Sequence, residues 1–135
     1  MAGFKMITRC NEILDDEFGS ESPATLELSC FTTLPDAAGA GGVEVGASGY
    51  ARLSVPNDAA NWPAAADALK MNGQELVFVA PGAAAWGYIV GIGIRMPAAQ
   101  GGAVRRVAVL SVPKQIIANG PALRIPIGAL KIREA

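Results

Sequence analysis

The chain has 135 residues, of which 51% are hydrophobic, and a formal net charge of −1. This length fits one compact domain, and the near-neutral charge lacks the broad positive field of proteins that bind nucleic acid non-specifically. The chain contains no histidine, which excludes every mechanism that relies on imidazole as acid, base or metal ligand.

An amphipathic helix is predicted near the start of the chain, because apolar residues recur there at three- and four-residue steps. It covers about residues 4–18 and ends at Gly19, a residue typical of helix C-termini. Such a short helix is not stable alone, so its apolar stripe must rest on the chain's own sheet or on a neighbouring subunit. Its candidate interface residues are Met6, Ile7, Cys10, Ile13 and Leu14.

After Pro23 the apolar period changes to two, which is typical of half-buried strands. Short strands separated by Gly, Pro and Asn-Gly turn signals are predicted near residues 25–30, 50–55, 75–80, 86–96, 104–112, 116–117, 123–127 and 130–132. Residues 35–48, rich in Gly and Ala, predict a surface loop that is flexible or ordered by a partner.

The fold class predicted from these segments is all-β: an antiparallel β-sandwich or jelly-roll-like barrel of about seven to eight short strands with one N-terminal helix. A single domain spanning residues 1–135 is expected, because no linker divides the chain. The apolar stretches are too short to span a bilayer, so no membrane partner is predicted.

No residue type in the chain points clearly to catalysis. Acidic residues cluster at Asp15, Asp16, Glu17 and Glu21, where a carboxylate pair for glycoside hydrolysis or a calcium site could be sought. The cluster lacks the ligand spacing of a calcium loop and is more typical of a solvated face. We therefore predict a non-enzymatic protein with no catalytic, metal-binding or cofactor-binding residues and no cofactor.

The two cysteines, Cys10 and Cys30, cannot complete a zinc site without further ligands. A disulfide between them is disfavoured in a reducing cytosol, so both are predicted to be buried thiols.

Three further residues are candidates for an interface. Arg105 and Arg106 are adjacent on a predicted strand and so point to opposite faces. They are either solvated or charge-paired, or they contact an acidic segment of a neighbouring subunit. Trp62 is predicted to anchor the core or a loop rather than to form a ligand platform, and it is retained as a candidate interface residue.

The order of short motifs resembles a known family. The motifs are NEIL at 11–14, FG at 18–19, PATL at 23–26, TTLP at 32–35, GYARLSV at 49–55, NWPAA at 61–65, NGQELVF at 72–78, AWG at 85–87, VGIGI at 90–94 and IGALKI at 127–132. In this order they resemble small virion proteins of tailed bacteriophages usually described as phage tail fibre proteins, over nearly the whole chain.

The resemblance implies a structural protein of the virion, made in the host cytoplasm. It would act by self-association as a homo-oligomer and by docking on other virion proteins, in the tail, fibre or baseplate region. The alternative is a capsid cement (decoration) protein that stabilises the major capsid shell. A carbohydrate-binding receptor module is a third hypothesis, which the scarcity of aromatic residues disfavours.

Overall fold

The computed structural model describes residues 3–134. Its fold class is the predicted one: antiparallel sheets and one α-helix, sandwich-like, with no closed barrel in the described part of the chain. Contacts divide the chain into two compact units. Unit 1 contains residues 3–25, Pro56–Leu76 and 125–134 among those described, and unit 2 contains Leu26–Val55 and Val77–Arg124. Neither helix within residues 3–134 has the length and apolar character needed to cross a bilayer.

The described residues form nine strands rather than the seven to eight predicted. Their bounds are β1 Thr25–Thr33, β2 Val43–Glu44, β3 Leu53–Pro56, β4 Leu69–Met71, β5 Leu76–Val77, β6 Gly87–Arg95, β7 Val104–Ile116, β8 Arg124–Ile125 and β9 Lys131–Arg133. The α-helix, α1, covers Ile7–Glu17, and a short 3₁₀ helix covers Ala98–Gln100. Helix α1 begins later than predicted because Met6 has extended backbone angles and no side-chain cap precedes the first turn.

Unit 1 is built on α1 and the β4–β9 pair. The helix buries Cys10 and Leu14, and the N–H of Phe18 donates to the Leu14 carbonyl at its end. The Phe18 ring then packs on Trp62 with ring centroids 5.2 Å apart. Gly19 has a φ of +88°, and a Cβ there would lie 2.8 Å from the Trp62 carbonyl oxygen. Glycine is therefore required both by the backbone conformation and by the close approach.

The fully buried Asn57 side chain joins the segments of unit 1 around the helix end. Its Oδ1 accepts a 2.6 Å hydrogen bond from the Gly19 N–H, and its Nδ2 donates to the Pro23 carbonyl at 2.9 Å. Its own backbone carbonyl accepts from the Glu21 N–H at 2.7 Å. One amide thus satisfies polar groups that the turn after α1 would otherwise bury without partners.

A second buried amide, Asn72, orders the other end of unit 1. Its Oδ1 accepts from the Leu130 N–H at 2.9 Å, and its Nδ2 donates to the Pro126 carbonyl at 3.0 Å. Nearby, β4 and β9 pair antiparallel with Lys70 opposite Ile132. The amide holds residues 126–130 in position, so that β9 reaches β4 in register.

Unit 2 contains the largest sheet, in the order β2-β1-β6-β7, with β3 also paired to β1. The register places Leu28 opposite Ile94 and Cys30 opposite Ile92, and all four side chains are buried. A further two-stranded sheet pairs β5 with β8. The alternation predicted for residues 25–30 and 86–96 is present, because a one-residue slip would expose the entire apolar set.

Gly91 and Gly93 of β6 alternate with the buried Ile92 and Ile94 and so lie on the opposite face of this sheet. A Cβ on Gly93 would lie 2.4 Å from the Phe31 ring, and one on Gly91 would lie 2.5 Å from the Leu34 side chain. The missing side chains leave room for Phe31, which is only 3% exposed. The close approach over these glycines is made by neighbouring side chains.

Strand β7 lies at one edge of the sheet and contains an irregularity. Lys114 pairs with Ile89 and Val109 pairs with Gly91, so residues 110–113 stand opposite Val90 alone. This β7 bulge, residues 110–113, interrupts the ladder and contains Pro113, which has no backbone N–H to donate.

Candidate interface surfaces

The N-terminal segment of unit 1 presents apolar side chains to solvent. Phe4 is 88% exposed, Met6 67% and Ile7 57%. Beside them is an open cavity of about 620 Å³, lined by Gly3, Phe4, Lys5, Ile7, Cys10, Ala68 and Glu134. We call Phe4, Met6 and Ile7 the N-terminal apolar patch. Scattered exposed apolar residues are ordinary, but three within four positions beside an apolar-floored cavity form a contiguous surface of the kind found at interfaces.

Polar contacts hold the residues around this patch in place. Lys5 forms an ion pair with Glu134 at the edge of the cavity. The Ala68 N–H donates to the Asn11 Oδ1 at 2.9 Å, which ties α1 to the segment before β4. The patch therefore extends from a helix held on its inner side, and is not itself part of the core.

Other predicted interface residues of α1 face inward. Cys10 and Leu14 are buried in unit 1, and Ile13 is half-buried. Trp62 is 1% exposed and packs on Phe18. These side chains stabilise unit 1, and only Met6 and Ile7 of the predicted set on α1 and its start lie at the surface.

The acidic run at the end of α1 is not uniformly solvated. The Asp15 Oδ1 accepts a 2.8 Å hydrogen bond from the Lys70 Nζ and another of 2.8 Å from the Ala65 N–H. Lys70 is 2% exposed, so this ion pair neutralises a buried cation. Burial raises the pKa of Asp15, but the bonds from Lys70 and Ala65 outweigh it and leave the pKa below its ordinary value.

The predicted arginine pair lies on β7 in unit 2. Arg105 is exposed, and its Nη1 lies 3.3 Å from the Met96 sulfur. Arg106 is half-buried and stands opposite Ile94 in the ladder. Further along the same strand Val109 is 66% exposed and Val112 72% exposed. The outer side of β7 thus combines a cation with apolar side chains, as interface surfaces often do.

A charge cluster around Glu44 in unit 2 was missed by the sequence analysis. The Glu44 carboxylate accepts from the Arg52 Nε and Nη2, both at 2.9 Å, from the Tyr50 hydroxyl at 2.7 Å and from the Arg95 Nη2 at 3.3 Å. Arg95 also bonds to Ser29 Oγ at 3.0 Å. The paired donors of Arg52 make the contact bidentate, the stronger form of a charge-assisted hydrogen bond.

This cluster changes the titration of its members. Burial raises the pKa of Glu44, but the Arg52 and Tyr50 hydrogen bonds and the two guanidinium charges lower it to a net value below the ordinary one. Burial raises the pKa of Tyr50, and its bond to Glu44 raises it further. Burial, with the nearby Glu44 charge, also raises the pKa of the Cys30 thiol to about 12. At neutral pH the cluster contains an anionic Glu44, a neutral Tyr50 and a protonated Cys30.

Both cysteines are free and buried, as predicted.

The loop predicted over residues 35–48 contains more order than its composition indicates. Val43–Glu44 pairs with β1, and Val45 is buried. The Val45 N–H also donates to the Cys30 carbonyl at 3.0 Å, and the side chains of Arg52 and Arg95 hold Glu44.

Comparison with known proteins gives one finding. Residues 9–133 match the profile of a family described as Podophage GP4 fiber I protein gp80. The match includes all nine strands of the described chain, but the N-terminal apolar patch precedes it. Neither the curated proteins nor the solved structures contain a significant match.

Proposed function

The chain belongs to the family of the podophage GP4 fiber I protein, and we propose that it self-associates and docks on other particle proteins in the tail, fibre or baseplate region. Family membership makes it a phage fibre-type structural protein of the virion. The observation that supports this proposal is the family match over residues 9–133, and it agrees with the resemblance seen in the sequence.

The surface that we propose for self-association is the N-terminal apolar patch, with a second copy of the chain as its occupant. Phe4 is a protruding apolar side chain, and the cavity beside it has apolar walls from Ile7, Cys10 and Ala68. In a two-fold pair, Phe4 of each copy would enter the cavity of the other, so that the two copies exchange equivalent contacts. The charged residues at the rim, Lys5 and Glu134, already neutralise each other and add no repulsion.

The size of the patch sets how strong this contact is. A buried aromatic side chain removes about 150–250 Å² from water, and the two aliphatic side chains remove less. Three side chains from each copy thus contribute less than the roughly 800 Å² per partner of a standard stable interface. We therefore expect weak association of the isolated chain, strengthened in the particle by docking on other proteins that hold the copies close together.

Sedimentation of the full chain over a concentration series tests the surface. We expect a reversible increase in mass with concentration for the unmodified chain, a loss of that increase in Phe4→Ser, and no loss in Val79→Ser. Val79 is the matched control, because it is an exposed apolar residue in unit 2 and outside β7. A chain that stays monomeric throughout, or a Phe4→Ser variant that associates like the original, would contradict the proposed surface.

Placement in the particle is tested by the copy number per purified virion, from quantitative mass spectrometry against the major capsid protein. The proposal predicts a small number of copies, as expected for a tail or fibre component. A ratio near one, or a simple large fraction, would instead indicate the cement function and contradict placement on the tail.

A further inference from the structure

The chain contains two Asn-Gly pairs in very different surroundings: Asn72-Gly73 in unit 1 and Asn119-Gly120 in unit 2. In such a pair the backbone nitrogen of the glycine can attack the asparagine side-chain carbonyl, because no glycine side chain shields it. The attack requires a mobile turn and a side-chain amide that is free to rotate. Whether each pair reacts is therefore decided by its hydrogen bonds and its burial.

The first pair is held in place. Asn72 is 2% exposed, its Oδ1 accepts from the Leu130 N–H, and its Nδ2 donates to two backbone carbonyls, one of them that of Pro126. The Gly73 N–H donates a 2.7 Å hydrogen bond to the Asn61 carbonyl. Attack at Asn72 would break several of these bonds inside the protein, where their loss is not compensated by water.

The second pair differs in its asparagine side chain. Asn119 is exposed, and its side-chain amide makes no hydrogen bond within residues 3–134. The backbone makes two hydrogen bonds, from the Gly120 N–H to the Ile117 carbonyl at 3.1 Å and from the Asn119 N–H to the Gly82 carbonyl at 2.8 Å, and neither restrains the side-chain amide. Asn119 has a φ of +54°, in the left-handed region that asparagine adopts more readily than most other non-glycine residues.

From this contrast we propose that Asn119 is a site of spontaneous deamidation in the folded chain. The Gly120 nitrogen, giving up its proton to water, bonds to the Asn119 Cγ, and the side-chain nitrogen leaves as ammonia. The product is a five-membered succinimide. Water then opens it at either carbonyl: cleavage at the side-chain carbonyl gives aspartate, and cleavage at the main-chain carbonyl gives isoaspartate. The net reaction consumes one water and releases one ammonia.

The modification changes the connection between β7 and β8 in two ways. It adds a carboxylate to a chain whose formal net charge is already −1. The isoaspartyl product also routes the main chain through the former side chain, which lengthens the turn by one carbon. The Gly120 N–H, which donates to the Ile117 carbonyl at 3.1 Å, is then displaced from its acceptor by the inserted carbon. This proposal is independent of the function proposed above.

The test is incubation of the full chain at mildly alkaline pH, followed by peptide mapping that separates asparagine, aspartate and isoaspartate. In the folded chain we expect the peptide containing Asn119 to convert at least about tenfold faster than the peptide containing Asn72, given the hydrogen bonds that restrain Asn72. In denaturant the two rates should become similar. An Asn119→Gly variant, which tolerates the positive φ, should form no isoaspartate in that peptide.

Two outcomes would overturn the proposal. In the first, Asn119 stays intact in the folded chain while converting in denaturant, which would mean that the turn protects it. In the second, both asparagines convert at the same rate in the folded chain, which would mean that burial and hydrogen bonding do not select the site.

Discussion

Asn57 offers the sharpest test of how unit 1 is stabilised. Replacing it by the nearly isosteric aspartate, Asn57→Asp, keeps an acceptor for the Gly19 N–H but removes the donor that bonds to the Pro23 carbonyl at 2.9 Å. The carbonyl oxygen then faces a carboxylate oxygen in a fully buried position. An unsatisfied buried acceptor costs about 1–3 kcal/mol, and an uncompensated buried charge increases the total to about 3–5 kcal/mol.

The assay is urea unfolding followed by tryptophan fluorescence. A Trp86→Phe background leaves Trp62, which is buried in unit 1, as the reporter. We expect the free energy of unfolding to fall by about 3–5 kcal/mol at neutral pH, a large part of the roughly 5–15 kcal/mol of an ordinary domain. The matched control is Asn119→Asp, the same substitution at an exposed amide, which should change the stability by less than about 0.5 kcal/mol.

A dependence on pH provides a second check of the same reasoning. Burial beside a carbonyl raises the pKa of the new carboxyl in the folded chain above its unfolded value. The variant is therefore least stable above that folded pKa, and its deficit should narrow as pH falls and the protonated acid regains a donor for Pro23. A loss below about 1 kcal/mol at neutral pH, or a deficit that does not change with pH, would refute this role of Asn57.

Three further predictions concern the charge clusters and the glycine face. The pKa of Glu44 is lowered in the folded chain, so the stability that Glu44 contributes is present above its ordinary pKa of 4.5 and is lost as pH falls through the folded pKa. In Glu44→Gln this part of the acid-dependent loss of stability should disappear from thermal unfolding measured over a pH series. A loss as large as that of the unmodified chain would contradict this prediction. Gly93→Ala should lower the free energy of unfolding by about 1–3 kcal/mol in chemical denaturation, because a Cβ there meets the Phe31 ring. Gly46→Ala, where a Cβ has open space, should leave it nearly unchanged. Equal changes in the two variants would show that the close contact at Gly93 is relieved without loss of stability. Asp15→Ala should destabilise the chain by about 1–3 kcal/mol, because it leaves the buried Lys70 ammonium without its carboxylate. The control Asp16→Ala should have little effect in the same measurement. Similar losses of stability in the two variants would mean that the ion pair is not what stabilises the helix end.

Sequence reasoning predicted those parts of the fold that depend on local periodicity. Strands were correctly predicted near residues 25–30 and 86–96, because alternation directly encodes which side chains point into a sheet. The position of α1 was less accurate, since the apolar period continues through Met6 although the backbone there is extended. The prediction of one domain over residues 1–135 concerns whether the two units unfold together, and it stays a prediction.

The polar contacts could not be predicted, because their partners are distant in sequence. The sequence around Lys70 predicts an ordinary exposed cation, whereas in the folded chain Lys70 is buried and bonded to Asp15. Glu44, in a loop of glycine and alanine, has no local signal that Arg95 will reach it. The same holds for the candidate interface: spacing identified an apolar stripe on α1, but only the folded chain separates buried Leu14 from exposed Ile7.

The bulge in β7 has a consequence for the chain before it reaches the particle. A long, straight edge strand with exposed valines would recruit strands from other molecules and lead to aggregation. In this chain the four residues 110–113 push the edge out of line, Pro113 offers no N–H, and the charged Lys114 follows directly. Pairing of β7 with the sheet edge of another copy is therefore disfavoured, so this edge does not start aggregation while the chain is still outside the particle.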